Sequence, residues 1–337
     1  MIAGAGIIGL SLALELQRRG SHVVVLERER SLGQASTAAA GMLAANDPAN
    51  PPELYPLAAL SIGLYPAFLD RIAELSGIRV PFQTSSTLQA LEDRTSSLQT
   101  LEDPTELVPQ LAAGGHRFAL LAEHSVDPRQ LAEALLAAVR NTSIDLREHT
   151  PLARVAAAAD GVRIDTPTGP LHASHLIDCM GAWTPAPVNP RKGQMLAVAL
   201  PPSLPLETVI RTEHLYIVPR TSGPNAGRAI IGATVEDVGF DLEVHPRDIL
   251  ALNAHATRLL PALAEATFVD SWAGLRPATA DGLPVLGALP RQPRYVLCNG
   301  HFRNGILLAP ATAHVLAQSL LGEAPAVDLT SFSPARF

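Results

Sequence analysis

Ile2-Ala3-Gly4-Ala5-Gly6-Ile7-Ile8-Gly9 opens the chain, and Leu10 to Arg19 continues it with helical apolar spacing before a stop at Gly20. His22-Val23-Val24-Val25-Leu26 comes next, a β-branched run that ends at Glu27. Strand, glycine loop, helix, strand and acid, in that order, form a parallel βαβ unit built to hold a dinucleotide. Gly4 permits the tight turn, and Gly6 lets the backbone around Ile7 and Ile8 approach a pyrophosphate. Gly9 lets helix and strand pack closely, and the helix N-terminus favours the negative phosphates. Glu27 follows Gly4 by 23 residues, the distance at which a carboxylate meets a ribose hydroxyl, and Arg28 stands beside it. Only Met1 and Ile2 clearly precede the loop, so the first strand is expected to be short and weakly paired.

The rest of the composition narrows the class. With 47% hydrophobic and 17% charged residues in 337, the chain can bury a sizeable core in two compact domains or in one large α/β domain with an insertion. Its net charge of −7 and the lack of any Lys/Arg cluster argue against a nucleic-acid surface. Two cysteines, Cys179 and Cys298, make no disulfide framework and have no metal-ligand spacing, so no metal is expected and a reducing, cytoplasmic setting is. Glycines interrupt the uncharged opening run, and nothing else nears the roughly 20 apolar residues of a membrane span.

After Glu27 a nicotinamide dehydrogenase usually continues with another helix and strand. Here Leu32-Gly33-Gln34-Ala35-Ser36-Thr37-Ala38-Ala39-Ala40-Gly41-Met42-Leu43 follows instead. Small residues over such a span can lie against a flat or charged ligand, with Ser36 and Thr37 as phosphate donors, or can simply begin an Ala-rich helix. Further on, Leu57 to Leu75 reads as a helix, Ser86 to Leu91 as a strand, and Asp127-Pro128 as the start of a second helix with Asp127 as its cap. Val162 to Thr166 and Leu176 to Trp183 read as strands of the first domain. From Arg191 to about Asp270, alternation such as His214-Leu215-Tyr216-Ile217-Val218 predicts an antiparallel sheet.

The opening unit and Ser36 to Met42, together with Trp272-Ala273-Gly274-Leu275-Arg276-Pro277 and Gly300-His301-Phe302-Arg303-Asn304-Gly305-Ile306-Leu307-Leu308-Ala309-Pro310, resemble the D-amino-acid-oxidase superfamily of flavoproteins. Within it the likeness is to the glycine oxidases of thiamine biosynthesis, over most of the chain. The resemblance implies a Rossmann-type FAD-binding domain (residues 1–80, 122–190 and 270–337) interrupted by an antiparallel-sheet substrate domain (81–121 and 191–269). It implies non-covalent FAD, since neither cysteine matches the attachment position of the sarcosine-oxidase relatives.

By the same resemblance Ala40, Gly41, Met42, Val155, Gly181 and Trp183 border the cofactor. Gly300, Asn304, Gly305 and Ile306 bring backbone N–H groups to the flavin's pyrimidine edge ahead of a helix from about Ala311. Oxidising an amino acid requires the α-carbon hydrogen to face flavin N5 for hydride transfer, the amine neutral and the carboxylate neutralised. A guanidinium suits the carboxylate because its planar fork pairs bidentately. Arg276 is implied as that clamp, Arg303 as a neighbour of the flavin, and Tyr216 as a phenolic donor to the carboxylate, although a strand Tyr with its ring in the core reads nearly as well. Val235 stands where the family has a pocket methionine, and His301 reads better as a turn histidine capping backbone than as a base.

The expected reaction is oxidation of glycine or a similarly small amino acid to the imine, then to 2-oxo acid and ammonia, with oxygen as acceptor and peroxide as product. A D-amino-acid dehydrogenase or sarcosine-type oxidase, a nicotinamide dehydrogenase and a non-catalytic FAD module are the alternatives. Relatives often form homo-oligomers.

Overall fold

The computed structural model describes residues 1–91, 98–185 and 187–337; the expected substrate segment 81–121 therefore includes six residues outside the described ones. In the first half the elements are β1 (Ile2–Ala3), α1 (Ile7–Arg18), β2 (Val24–Leu26), α2 (Ala35–Ala38), α3 (Tyr55–Ser76), β3 (Phe82–Thr84), β4 (Thr87–Leu91), β5 (Arg117–Leu121), β6 (Ser125–Val126), α4 (Pro128–Arg140) and β7 (Asp145–Arg147). The second half adds β8 (Arg154–Ala158), β9 (Gly161–Thr166), β10 (Gly169–Ala173), β11 (Leu176–Asp178), β12 (Asn189–Ala199), β13 (Val209–Arg211), β14 (Tyr216–Arg220), β15 (Arg228–Gly232), α5 (Pro246–Leu259), β16 (Thr267–Ala278), β17 (Val285–Leu289), β18 (Gln292–Asn299) and α6 (Gly305–Leu320).

A six-stranded sheet in the order β17-β18-β11-β1-β2-β7 forms the Rossmann-type half. All its neighbours are parallel except the β17–β18 pair, and helices α1, α3, α4 and α6 share one large apolar core with it. The two-residue β1 is not weakly paired, as so short a strand is expected to be. It lies at the centre, pairing with β11 through Ile2↔Ile177 and with β2 through Ile2↔Val25, and Ile2 is fully buried. Two residues suffice because both edges are paired, so backbone groups and side chains alike are satisfied.

The second large sheet has seven strands in the order β16-β12-β15-β14-β13-β4-β5. It is mixed, not purely antiparallel, because β13 pairs with β4 in parallel. Strands β12 and β16 run past the expected domain edges at 190 and 270. One face packs on α5 through Leu196, Ile217 and Ile231, while the other turns toward the first half through Met195, Val218 and Ile230. Period-two alternation in β12, β14 and β15 divides these two sets. Val162 to Thr166 departs from expectation: β8, β9 and β10 form a separate three-stranded antiparallel sheet that packs Val162 and Ile164 against Ala3 and Leu26. The strand beginning at Leu176 ends at Asp178, after which Gly181–Trp183 forms a short helical turn.

Asp127 caps α4, its carboxylate accepting from the Arg129 N–H at 2.9 Å. The last helix starts at Gly305, six residues before the expected Ala311, with Pro310 inside it. Pro310 has no N–H for the Ile306 carbonyl, which would ordinarily end a helix. The Tyr65 hydroxyl of α3 donates to that carbonyl at 2.7 Å, and Ser61 donates to the carbonyl of Leu307 at 2.5 Å. A proline that reads as a terminator is thus absorbed by tertiary contact. Tyr65→Phe is expected to lower stability by about 1–3 kcal/mol, the cost of a buried orphaned acceptor; a urea-unfolding midpoint checks it, and no loss would mean water fills the gap.

Candidate active site

One cavity of about 920 Å³ lies between the two large sheets, near the upper end of the roughly 300–1,000 Å³ usual for cofactor and small-molecule sites. Its inner wall is the opening loop. Gly4 has φ +101, and a Cβ there would sit 2.3 Å from the Cys179 carbonyl oxygen, so no other residue fits between the strands at that turn. Helix α1 starts immediately after Gly6, which has no side chain of its own to cap it, and Gly6, Ile7 and Ile8 line the cavity, so the helix N-terminus faces it.

Glu27 lines the cavity with its carboxylate fixed from both sides. One oxygen accepts from the Ala5 N–H at 2.9 Å and the other from the Glu29 N–H at 3.0 Å. Ser36 also faces the cavity, but its hydroxyl oxygen accepts from the Ile7 N–H, so α2 is stitched to the glycine loop. Arg28 lies over the Trp183 ring at 3.9 Å. The turn carrying Gly181 and Trp183 is anchored by the buried Asp178, which accepts from the Thr184 hydroxyl at 2.6 Å, the Met180 N–H at 3.0 Å and the Tyr295 hydroxyl at 2.9 Å. Burial pushes the Asp178 carboxyl up from its ordinary value, against those hydrogen bonds.

Ile7, Ile8, Ala40, Gly41 and Met42 also line this cavity, as do Asn304, Gly305 and Ile306. Four expected cofactor residues lie outside the lining. Val155 sits on β8 and packs beside Ala3 and Leu26, with Leu152 reaching the cavity in its place. The Thr37 hydroxyl donates to the Leu32 carbonyl at 2.9 Å. Gly9 lies against the Gly4 carbonyl and Gly300 beside Thr279, so both shape the wall from behind.

At the other end Arg276 extends from β16 over the backbone of Gly193, where a Cβ would come within 2.3 Å of its guanidinium. Its Nη1 donates to the Thr234 carbonyl at 3.1 Å. Tyr216 lies next to it. Burial raises the Tyr216 phenol above its ordinary value while the Arg276 charge opposes that shift, so the hydroxyl keeps its proton at neutral pH and can donate. Arg303 borders the cavity, paired through Nη2 with Asp47 at 2.8 Å. Val235 stands at the mouth, 65% exposed.

A register row explains why these side chains meet. Trp272, Met195, Gly232, Tyr216, Arg211 and Gln89 are paired one to the next across β16, β12, β15, β14, β13 and β4. Directly paired residues point to the same face, here the face turned to the cavity. Gly193, Asp47, Arg211, Gln89 and the buried Glu123 were not found from sequence. Arg211 had a signal, a charge ending the apolar run Val209-Ile210; the others had none.

His301 is buried, and its Nε2 lies 3.0 Å from the Thr312 hydroxyl, a side-chain partner in place of the expected backbone cap. Burial lowers its pKa to about 3, so it is neutral at pH 7 and a poor proton acceptor. Cys179 and Cys298 are free and buried, and burial pushes the Cys179 thiol up.

A dinucleotide loop and a cavity shared by two sheets, with an arginine–tyrosine pair at its far end, define a dinucleotide-cofactor-binding α/β class of protein. The chain belongs to the FAD dependent oxidoreductase family, whose model matches residues 1–319. It is 35% identical to the bifunctional protein ThiO/ThiG of Trichormus variabilis over 100% of this chain, and spans 55% of that relative's length. It is 31% identical to the glycine oxidase of Geobacillus kaustophilus over 99% of this chain and 96% of the relative. The crystal structure of the glycine oxidase from Geobacillus kaustophilus superposes with a TM-score of 0.92, at 30% identity over 100% of this chain and 98% of that one. The glycine loop, the fixed Glu27 and the α1 N-terminus line a cavity that fits the FAD cofactor of that family. Among the described residues no helix is long and apolar enough to cross a membrane.

Two outcomes follow from the geometry. Gly193→Ala is expected to displace the Arg276 guanidinium and raise the KM for a carboxylate substrate at least tenfold with the bound flavin retained; an unchanged KM would remove Arg276 from substrate binding. His301 binds a proton more readily unfolded (ordinary pKa about 6.5) than folded (about 3), so its contribution to stability is full above pH 6.5 and is lost as pH falls toward 3. His301→Gln is expected to flatten the fall of the urea midpoint between pH 6.5 and 4.

Proposed function

We propose that the enzyme oxidises glycine or a similarly small amino acid. In this reading the amino acid, oxygen and water give the 2-oxo acid (glyoxylate from glycine), ammonia and hydrogen peroxide, by way of the imine. Bound FAD supplies the two-electron acceptor. The observation that carries the reading is the Arg276 guanidinium laid over Gly193 beside a protonated Tyr216, at the far end of the cavity that the glycine loop begins.

Arg276 holds the substrate carboxylate through its planar fork and Tyr216 adds a neutral donor, so the α-carbon is positioned without a covalent attachment. Orientation and charge are the protein's whole contribution, and the weakly basic His301 leaves loss of the amine's proton to solvent. Arg303, tethered by Asp47, borders the site between the carboxylate clamp and the first turn of α6. The glycine oxidase relatives support the substrate assignment. Self-association into a homo-oligomer, common among relatives, is part of this proposal, as is oxygen as the acceptor.

The test is the visible spectrum in oxygen-free buffer. Yellow absorbance is expected to bleach on adding glycine and return on admitting air, with one peroxide formed per glycine consumed. Arg276→Ala is expected to stay yellow and to raise the glycine KM at least a hundredfold, and Tyr216→Phe about tenfold. A wild-type protein that stays yellow with glycine, sarcosine and D-alanine overturns the small-amino-acid assignment. Bleaching without fast recovery in air overturns oxygen as the acceptor.

A further inference from the structure

Lys192 is the one lysine among 25 lysine and arginine residues, and it is fully buried. Along β12 it alternates with Gly193, so Lys192 and Gln194 share the α5 face of the sheet with Leu196. The strap 233–245, which joins β15 to α5, is tied to both of them. Apolar packing does not hold this strap, because Val235, Val238, Phe240 and Leu242 are all exposed. Polar contacts hold it instead. The Lys192 ammonium donates to Asp241 at 2.5 Å and lies 3.8 Å from Glu236, and the backbones of Lys192 and Glu236 exchange two hydrogen bonds of 3.0 and 2.9 Å. The Gln194 side chain donates to Glu236 and Asp248 and accepts from the His245 N–H. Thr234 joins the same network, its hydroxyl donating to Glu236 and accepting from the Gln194 N–H.

The substrate clamp hangs from this network. Arg276 Nη1 donates to the carbonyls of Thr234 and Lys192, at 3.1 and 3.4 Å. Among the described residues no carboxylate pairs with Arg276, so its charge stays available while two carbonyls set its direction. One of those carbonyls belongs to the strap. A buried ion pair often adds little net stability, because desolvation offsets the attraction, and its best-attested use is to fix one arrangement against others. A compact ammonium can reach two carboxylates in a closed space, where a planar guanidinium needs room for its whole fork. The hydrogen bond from Lys192 also holds the Asp241 carboxyl below its ordinary value, so that partner is ionised at neutral pH.

We propose that Lys192 is a positioning residue for the substrate clamp. By fixing the strap's register on β12 it sets where the Thr234 carbonyl lies, and thereby the direction of the Arg276 guanidinium. This rests on the amino-acid-oxidase reading above and deepens it with a residue that lies outside the cavity lining.

The test is a double-mutant cycle on the holoenzyme. Lys192→Met nearly keeps the side chain's length and removes its charge. It is expected to raise the glycine KM at least tenfold, with kcat within about threefold and the flavin retained. In an Arg276→Ala background the same change is expected to alter kcat/KM by less than twofold, because its effect passes through that guanidinium. A role in stability alone would leave the KM of the folded variant unchanged or act equally in both backgrounds, and either result overturns the proposal. Asp241→Asn, at the more exposed partner, covers the case in which Lys192→Met does not fold. It is expected to raise the glycine KM at least threefold, and no rise overturns the proposal. Acetate, which has the carboxylate but no amine to oxidise, separates this proposal from the reading it rests on. If no small amino acid bleaches the wild-type flavin, the oxidase reading has failed. Weaker acetate binding in Lys192→Met, read by perturbation of the flavin absorbance, then still supports the positioning role, and acetate binding that is absent or unchanged overturns it too.

Discussion

Everything in the first half depends on how closely the loop after β1 lies against the strand beside it. The turn at Gly4 brings its backbone against the Cys179 carbonyl, and Gly9 brings α1 down onto Gly4 itself, where a Cβ would sit 2.0 Å from the carbonyl oxygen. That closeness is what lets a two-residue strand serve as the centre of a six-stranded sheet. It also aims the α1 N-terminus at the cavity instead of at solvent, and sets Ala5 where its N–H can hold Glu27. One steric condition, the absence of two side chains, thus places the α1 N-terminus and the Glu27 carboxylate on the same cavity.

The second half works by register. A strand pairing one residue out of step would turn Tyr216 and Arg211 into the α5-facing core and expose Ile217 to the cavity. The apolar side chains of that core, among them Leu196, Ile217 and Ile231, hold the pairing in place. The polar side chains on the opposite face are therefore positioned by packing they do not take part in. Arg276 is the exception, since it reaches its place through the gap over Gly193 and not through the row.

Sequence reasoning reached the fold where chemistry and local pattern coincide. The glycine loop, the acid at Glu27 and the Asp127 cap each depend on residues close in the chain, and each is visible there. It misplaced what depends on distant partners. The start of α6 lies earlier than its sequence implies because Pro310 is tolerated through Tyr65 and Ser61, some 240 residues from their carbonyl partners. Val155 lies on β8 of the small separate sheet, outside the cavity lining. Arg276, Arg303 and Tyr216 were legible only through resemblance, whereas Gly193, Glu123 and Asp47 act through contacts that no spacing in the sequence records.

The cavity walls come from Gly4 and Glu27 at one end of the chain, Tyr216 and Arg276 far along it, and Arg303 close to its other end. The stretch from Gly4 to Met42 carries much of the cofactor wall, but Tyr216, Arg276 and Arg303 join it only in the folded chain. A cofactor that binds the assembled cavity withdraws protein from the unfolded pool by mass action. At a free cofactor concentration a hundredfold above Kd that shift is worth about 2.7 kcal/mol. Loading with cofactor thereby raises the folded fraction as well as filling the cavity.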